Sequence, residues 1–154
     1  MVFTTRTSCI GVFMFFCLAR GIYTQVYRNM SSVAGMYSAS FVTVPNDTVA
    51  KKIARGLVEN KLAACVNIIP QLTSVYEWEG KVQEEPELLL MIKTRTETVD
   101  ALTEYVKRNH PYTICEVISL PIQNGNIDYL NWIGETVPPP LDQVIQKGQD
   151  TENN

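Results

Sequence analysis

NHPYTICEVISLPIQNGNIDYLNWI, residues 109–133, is the stretch that decides the fold. It contains the only histidine of the chain, His110, which is followed by Pro111 and, six residues after the histidine, by Glu116. The β-branched run Ile114–Leu120 predicts a strand. A loop containing Pro and Gly comes next, and the apolar spacing in Ile127–Val137 predicts a short helix. The stretch therefore predicts the end of one helix, a strand and a further helix in succession.

The segments upstream predict strands and helices in alternation. Asn46 or Asp47 is expected to cap a first helix, in which Val49, Ile53 and Leu57 recur every four residues. The remaining predicted elements are the strands Ser38–Val44, Ala64–Ile69, Leu72–Trp78 and Glu87–Lys93 and the helix Thr96–Asn109. The order β-α-β-β-α-β, with a long hairpin and an extra C-terminal helix, predicts an α+β fold of the ferredoxin-like split βαβ type.

A second motif, CVNIIPQLTSVYEWEGKVQ at Cys65–Gln83, precedes the first one. In order and spacing the two motifs resemble those of the CutA family, the divalent-cation-tolerance proteins, across residues 37–137. The resemblance implies a homotrimer whose sheets pack together around a threefold axis. We expect residues 1–36 to be a leader and linker, residues 37–137 to be the CutA-like domain, and residues 138–154 to be a disordered tail.

The segment Leu88–Ile92, LLLMI, also predicts contacts beyond one chain. It is apolar on both faces, whereas an antiparallel sheet that is open to water alternates apolar and polar residues. Burying four or five such side chains would contribute on the order of 5–10 kcal/mol per chain. Self-association explains this pattern, with the hairpin Leu72–Lys93 pairing with a neighbour. The alternative is that the C-terminal helix covers part of the face.

The charge distribution argues against nucleic-acid binding. The chain has 13 Lys and Arg and 16 Asp and Glu residues, and residues 1–46 contain only three of them, Arg6, Arg20 and Arg28. The rest of the chain is therefore acidic and offers no basic surface for a phosphate backbone.

The N-terminal segment has the composition of a targeting sequence. Ser8–Ala19 is 12 residues long and uncharged, which suits a secretory signal peptide and is too short for a membrane-spanning helix. A mitochondrial transit peptide is the alternative, and a start at Met30 or Met36 would give a cytosolic product. If the chain enters the secretory pathway, Asn29 and Asn46 lie in possible glycosylation sequons.

Two cysteines, Cys65 and Cys115, lie outside the leader. In the predicted topology they belong to opposite edges of one sheet, too far apart for a disulfide. We expect two free thiols. The spacing of cysteines and histidine gives no structural zinc motif.

His110 and Glu116 are the candidate metal ligands. An imidazole and a carboxylate can bind Cu(II) or another divalent cation, although two ligands alone make a weak site. The family resemblance implies a copper site at this histidine and glutamate, with a first-strand cysteine as a further ligand; Val42 stands at that position here. The alternative is a structural role, in which His110 lies at a helix C-terminus and interacts favourably with the helix dipole.

An aromatic and polar set forms a second candidate site, for a small ligand between subunits. Its members are Tyr76, Trp78, Lys93 and Tyr112. Such residue types line ligand clefts, and the similar PII signalling proteins bind ligands between subunits. Plain packing at a subunit interface is the alternative, because Tyr and Trp are common there.

The chain contains no catalytic motif of the common kinds, so we expect it not to be an enzyme. Three functions fit the sequence. The first is metal binding or tolerance by a homotrimer, and the second is a trimeric scaffold of a secretory or membrane complex, since animal CutA proteins have been linked to the anchoring of acetylcholinesterase. The third is a PII-like sensor of small molecules.

Overall fold

The structure, a computed structural model, describes residues 33–140. The predicted leader and tail lie largely outside these residues, and Asn29 and Met30 lie wholly outside. The strands and α-helices, in chain order, are β1 Tyr37–Val44, α1 Asp47–Glu59, β2 Cys65–Trp78, β3 Lys81–Arg95, α2 Val99–Asn109, β4 Ile118–Pro121 and α3 Ile127–Thr136. The first residues of the predicted helix Thr96–Asn109 form a 3₁₀ turn, Thr96–Thr98, and the α-helix begins at Val99. None of the helices within residues 33–140 is long and apolar enough to cross a membrane.

The four strands form one antiparallel sheet in the order β2-β3-β1-β4. This α+β arrangement confirms the predicted ferredoxin-like fold. Cys65 begins β2 at one edge, Cys115 precedes β4 at the other edge, and both thiols are free, as predicted. Asn46 is the cap of α1, because its side-chain oxygen accepts a hydrogen bond from the Val49 N–H at 3.0 Å.

The last strand is shorter than predicted. It begins at Ile118 rather than Ile114, and it pairs with β1 only over Ser38–Phe41. Continuing that register would bring Glu116 opposite Thr43. The His110 ring instead bonds the Thr43 carbonyl, which leaves no room in the ladder for a longer β4.

The hairpin strands are longer and more continuous than predicted. Ala64–Ile69 and Leu72–Trp78 are parts of one strand, β2, with a bulge between Ile69 and Leu72. Gln71 within that bulge has a φ of 65°, which takes up the extra residue. Pro86 is tolerated in β3 because β1 ends opposite Leu88, so that β3 has an unpaired edge at the proline. The outer part of the hairpin, 72–87, therefore projects past the sheet as an arm.

One face of the sheet carries the main core. Its buried side chains come from β1, β3, α1 and α2, and they include Val42, Val44, Ile53, Leu57, Leu90, Ile92, Leu102 and Val106. The apolar stripe of each helix faces these strands, so α1 and α2 together cover this side of the sheet.

Helix α3 covers one end of the opposite face. Leu130, Ile133 and Val137 pack there with Tyr37 and Ala64. Arg95 fastens the end of the helix, since its Nε donates to the Val137 carbonyl and its Nη2 to the Gly134 carbonyl, both at 2.5 Å.

The remainder of that face is only partly covered by the described residues. Strand alternation and register place six large apolar side chains on it, which we call the open face: Phe41, Ile69, Leu89, Met91, Ile118 and Leu120. Ile118 and Leu120 are 52% and 56% exposed. The open face is therefore a continuous apolar surface, of a kind that soluble monomers seldom present to water.

Candidate functional site

His110 lies immediately after α2 and is 8% exposed. Its backbone N–H donates to the Val106 carbonyl at 2.8 Å, which ends the helix. The Tyr112 backbone N–H donates to Nδ1 at 3.1 Å, and Nε2 lies 2.9 Å from the Thr43 carbonyl oxygen. Because Nδ1 is an acceptor here, Nε2 must carry the proton and donate it to Thr43. Both ring nitrogens are thus used in fastening the 110–117 segment to β1.

Glu116 lies in the irregular segment between α2 and β4 and is half-buried. Its carboxylate has no hydrogen bond or ion pair to another of the residues in the range 33–140. Val42, at the position where the resemblance implies a cysteine ligand, is fully buried in the main core. In this part of the chain, no three His, Cys, Asp or Glu side chains are placed to hold a metal together. A metal at His110 must therefore displace one of its two hydrogen bonds.

A group of hydroxyl and carboxylate side chains lies at the base of the arm. Tyr76 donates to Glu85 Oε2 at 3.0 Å, and Ser74 donates to Glu87 Oε2 at 2.5 Å. Tyr112 stands beside both carboxylates, in edge contact with the His110 ring at 5.0 Å between centroids. We call these residues the arm cluster: Ser74, Tyr76, Glu85, Glu87 and Tyr112.

The electrostatics of the arm cluster follow from its carboxylates. The hydrogen bond to Glu85 is the main cause that raises the pKa of Tyr76. For Tyr112, burial raises the pKa most, and the negative charges of Glu87 and Glu85 raise it further. Neither glutamate forms an ion pair with a described residue. Sequence reasoning missed both glutamates, although their alternation on the face that carries Tyr76 was visible.

The structure does not bring the four predicted pocket residues together within one chain. Tyr76 and Tyr112 meet in the arm cluster, whereas Trp78 lies at the arm tip, opposite Lys81. Tyr76 pairs with Gln83 of β3. Lys93 lies ten residues further along the same strand, roughly 33 Å from Gln83. The Lys93 ammonium donates to the Asn67 side chain and to the Met91 carbonyl, the latter at 3.1 Å. A pocket formed between subunits stays a prediction.

A comparison with known families shows to which family the chain belongs. The family described as "CutA1 divalent ion tolerance protein" matches residues 38–136, more than half of the chain. The chain belongs to the CutA1 family. This confirms the resemblance of the two motifs.

Two animal proteins illustrate the similarity. "Protein CutA homolog" of Xenopus laevis is 64% identical over 118 residues, which cover 77% of this chain and 78% of the frog protein. "Protein CutA" of Homo sapiens is 53% identical over 112 residues, 73% of this chain but only 63% of the human protein.

Rice provides both a similar sequence and a similar structure. A protein of Oryza sativa named "Protein CutA 1, chloroplastic" is 48% identical over 138 residues, covering 83% of this chain and 76% of the rice protein. A crystal structure of CutA1 from Oryza sativa superimposes with a TM-score of 0.67 at 50% identity, covering 70% of this chain and 97% of the rice chain.

The hydrogen bonds of His110 predict a structural role that can be measured. His110→Ala removes the donor to Thr43 and the acceptor for Tyr112, so we expect the free energy of unfolding to fall by roughly 1–3 kcal/mol. Glu116→Gln, the matched control, should stay within about 0.5 kcal/mol of the unaltered chain. Denaturant unfolding followed by circular dichroism gives both values. An equal loss in the two variants would contradict the stabilising role assigned to the two hydrogen bonds of the His110 ring.

Proposed function

We propose that this CutA1 chain acts in divalent-cation tolerance as a non-enzymatic homotrimer. The open face is the observation that carries the self-association. The family description names tolerance to divalent ions and no reaction, and the sequence has no motif of a common catalytic type. Both support a role for the assembled protein in handling cations rather than in catalysis.

The energetics of the open face favour assembly. Each buried Leu, Ile, Met or Phe side chain contributes about 1.5–3 kcal/mol relative to an exposed one. The face carries six such side chains, beside a β4 strand whose outer edge is unpaired within the described residues. An arm that projects beyond its own sheet can pair with such an edge on a neighbour, which protects both from non-specific association.

Met91, in the middle of the open face, provides a direct test of assembly. Met91→Glu places a charge where a neighbouring copy packs, so we expect the mass in light scattering to fall toward that of one chain. Val58→Glu introduces the same charge at an exposed apolar position of α1 and should leave the mass unchanged.

The same pair of variants connects assembly to function. In cells that lack their own CutA, we expect the unaltered chain and Val58→Glu to restore growth in high Cu(II) or Zn(II), and Met91→Glu to fail. If Met91→Glu keeps the full mass, the assembly proposal is wrong. If no variant changes cation tolerance, the functional proposal is wrong although the assembly stands.

A more specific proposal within the cation-tolerance role is copper binding, with His110 and Glu116 as ligands. Glu116 supports it as a carboxylate without a partner among the described residues, while the hydrogen bonds of His110 weaken it. We expect calorimetric titration to give weak, saturable Cu(II) uptake that Glu116→Gln abolishes. Glu84→Gln, an exposed carboxylate on the arm, is the control. Uptake that is the same in all three proteins would remove this site and leave the cation role to another part of the assembly.

The N-terminal segment supports a proposal on location. We propose that residues 1–36 direct the chain into the secretory pathway, where the scaffold hypothesis applies; the rice relative, named as chloroplastic, supports only the wider idea of a targeting presequence. A C-terminal fluorescent fusion should co-localise with the endoplasmic reticulum, and a chain that starts at Met36 should be cytosolic. Glycosidase treatment would reveal glycans at Asn29 or Asn46. A mitochondrial signal from the full chain would contradict the secretory proposal.

A further inference from the structure

Two charged residues are buried in the part of the chain that the structure describes, and they have opposite signs. Glu87 is 5% exposed and Lys93 is 8% exposed. Neither forms an ion pair within residues 33–140. The hydrogen-bond partners of Glu87 are the hydroxyls of Ser74 and Tyr112, and those of Lys93 are the Asn67 side chain and the Met91 carbonyl, all of them neutral. A buried charge without a counter-charge is unfavourable. Each of the two residues therefore needs an oppositely charged partner that the single chain does not supply.

The two charges cannot satisfy each other within one chain. They lie six residues apart on β3, which is roughly 20 Å along a strand. Both point to the same side as Leu89 and Met91, because side chains alternate along a strand. A carboxylate and an ammonium thus stand at the two ends of the apolar stripe at the centre of the open face.

We propose that Lys93 of one copy forms an ion pair with Glu87 of the next copy, which completes the arm cluster with a neighbour's ammonium. The inference rests on the proposed self-association and names the contact that fixes its register. Each chain carries both charges, so a head-to-tail ring uses each of them once and closes without a leftover charge. The ammonium has three donors and uses two within its own chain, which leaves one for the carboxylate.

The arm cluster favours this occupant over a free cation. The cluster contributes two carboxylates, and no third acidic, histidine or cysteine ligand joins them among the described residues. An ammonium needs fewer ligands than a divalent ion. The Lys93 ammonium of every copy already lies on the same face of the sheet as the Glu87 carboxylate. Charge complementarity of this kind fixes the register of an interface.

A charge swap in the full chain tests the pair. Glu87→Lys and Lys93→Glu should each raise the dissociation constant of self-association at least about 30-fold, because each leaves like charges facing each other across the interface. The double variant Glu87→Lys/Lys93→Glu should return to within about 5-fold of the unaltered chain. Since the two residues are far apart in one chain, only a contact between copies can restore assembly. Glu84→Lys, the same charge change on the opposite face of the arm, should have little effect.

Several results would overturn the proposal. The double variant could assemble no better than the single variants, or the single variants could assemble as well as Glu84→Lys. A chelator that dissociates the unaltered assembly as strongly as Glu87→Gln does would place a divalent cation, not Lys93, at Glu87. If a charge reversal unfolds the chain, a double-mutant cycle with the milder changes Glu87→Gln and Lys93→Met replaces it. The pair is rejected if the effect of the double variant on the dissociation constant equals the product of the two single effects.

Failure of this proposal can be distinguished from failure of the proposed function. If the unaltered chain assembles and Met91→Glu breaks the assembly, the open face is an interface whether or not the ion pair exists. If the unaltered chain is a monomer, both proposals fail together. Sedimentation equilibrium of all variants, with circular dichroism as a check on folding, separates these cases.

Discussion

Strand β3 is apolar on both faces, and the rest of the structure depends on this constraint. Helices α1 and α2 cover Leu90 and Ile92 on one side, where the main core forms. On the other side α3, fastened by Arg95, covers only one end of the sheet. Leu89 and Met91 remain on the open face, and the buried charges of Glu87 and Lys93 lie on either side of them. The apolar side chains and the two charges without a counter-charge share one surface, so the proposed contact with another copy would account for both.

His110, the one histidine of the sequence, has a structural role in the fold. His110 ends α2, orders the following turn through Tyr112 and bonds the first strand at Thr43. This fastening brings Tyr112 to the arm cluster, so the HPY motif connects the helix layer to the arm. A metal role for the same ring competes with these hydrogen bonds. The competition explains why a strong site would need more than His110 and Glu116.

Much of the fold could be predicted from the sequence because its signals are local. Hydrophobic periodicity and the Asn46 cap are enough to place β1, α1 and the C-terminal end of α2. The start of β4 could not be predicted, since it depends on the long-range bond between His110 and Thr43. The continuity of β2 and β3 through Pro70 and Pro86 was hidden as well, because proline normally ends a strand unless a bulge or a free edge accommodates it.

The candidate site was harder to predict than the fold. Tyr76 and Tyr112 were identified by residue type, but Glu85 and Glu87 resemble solvated strand residues until the structure shows Glu87 to be buried. Lys93 lies far from the arm cluster in its own chain, so the contacts of one chain do not suggest the pairing with Glu87 that we propose. A site of the proposed kind, formed between copies, would leave only partial signals in each sequence: a charged residue without its partner and an apolar face without the residues that cover it.

The central claim is that the open face is buried against other copies of this chain. Its most direct test is the mass of the unaltered protein in sedimentation velocity across a wide dilution series, with the mass of the purified chain fixed by mass spectrometry. For the full 17.4-kDa chain, the account predicts one species of about 52 kDa, three copies, that persists on dilution. A stable, folded species of one chain at every concentration would contradict it.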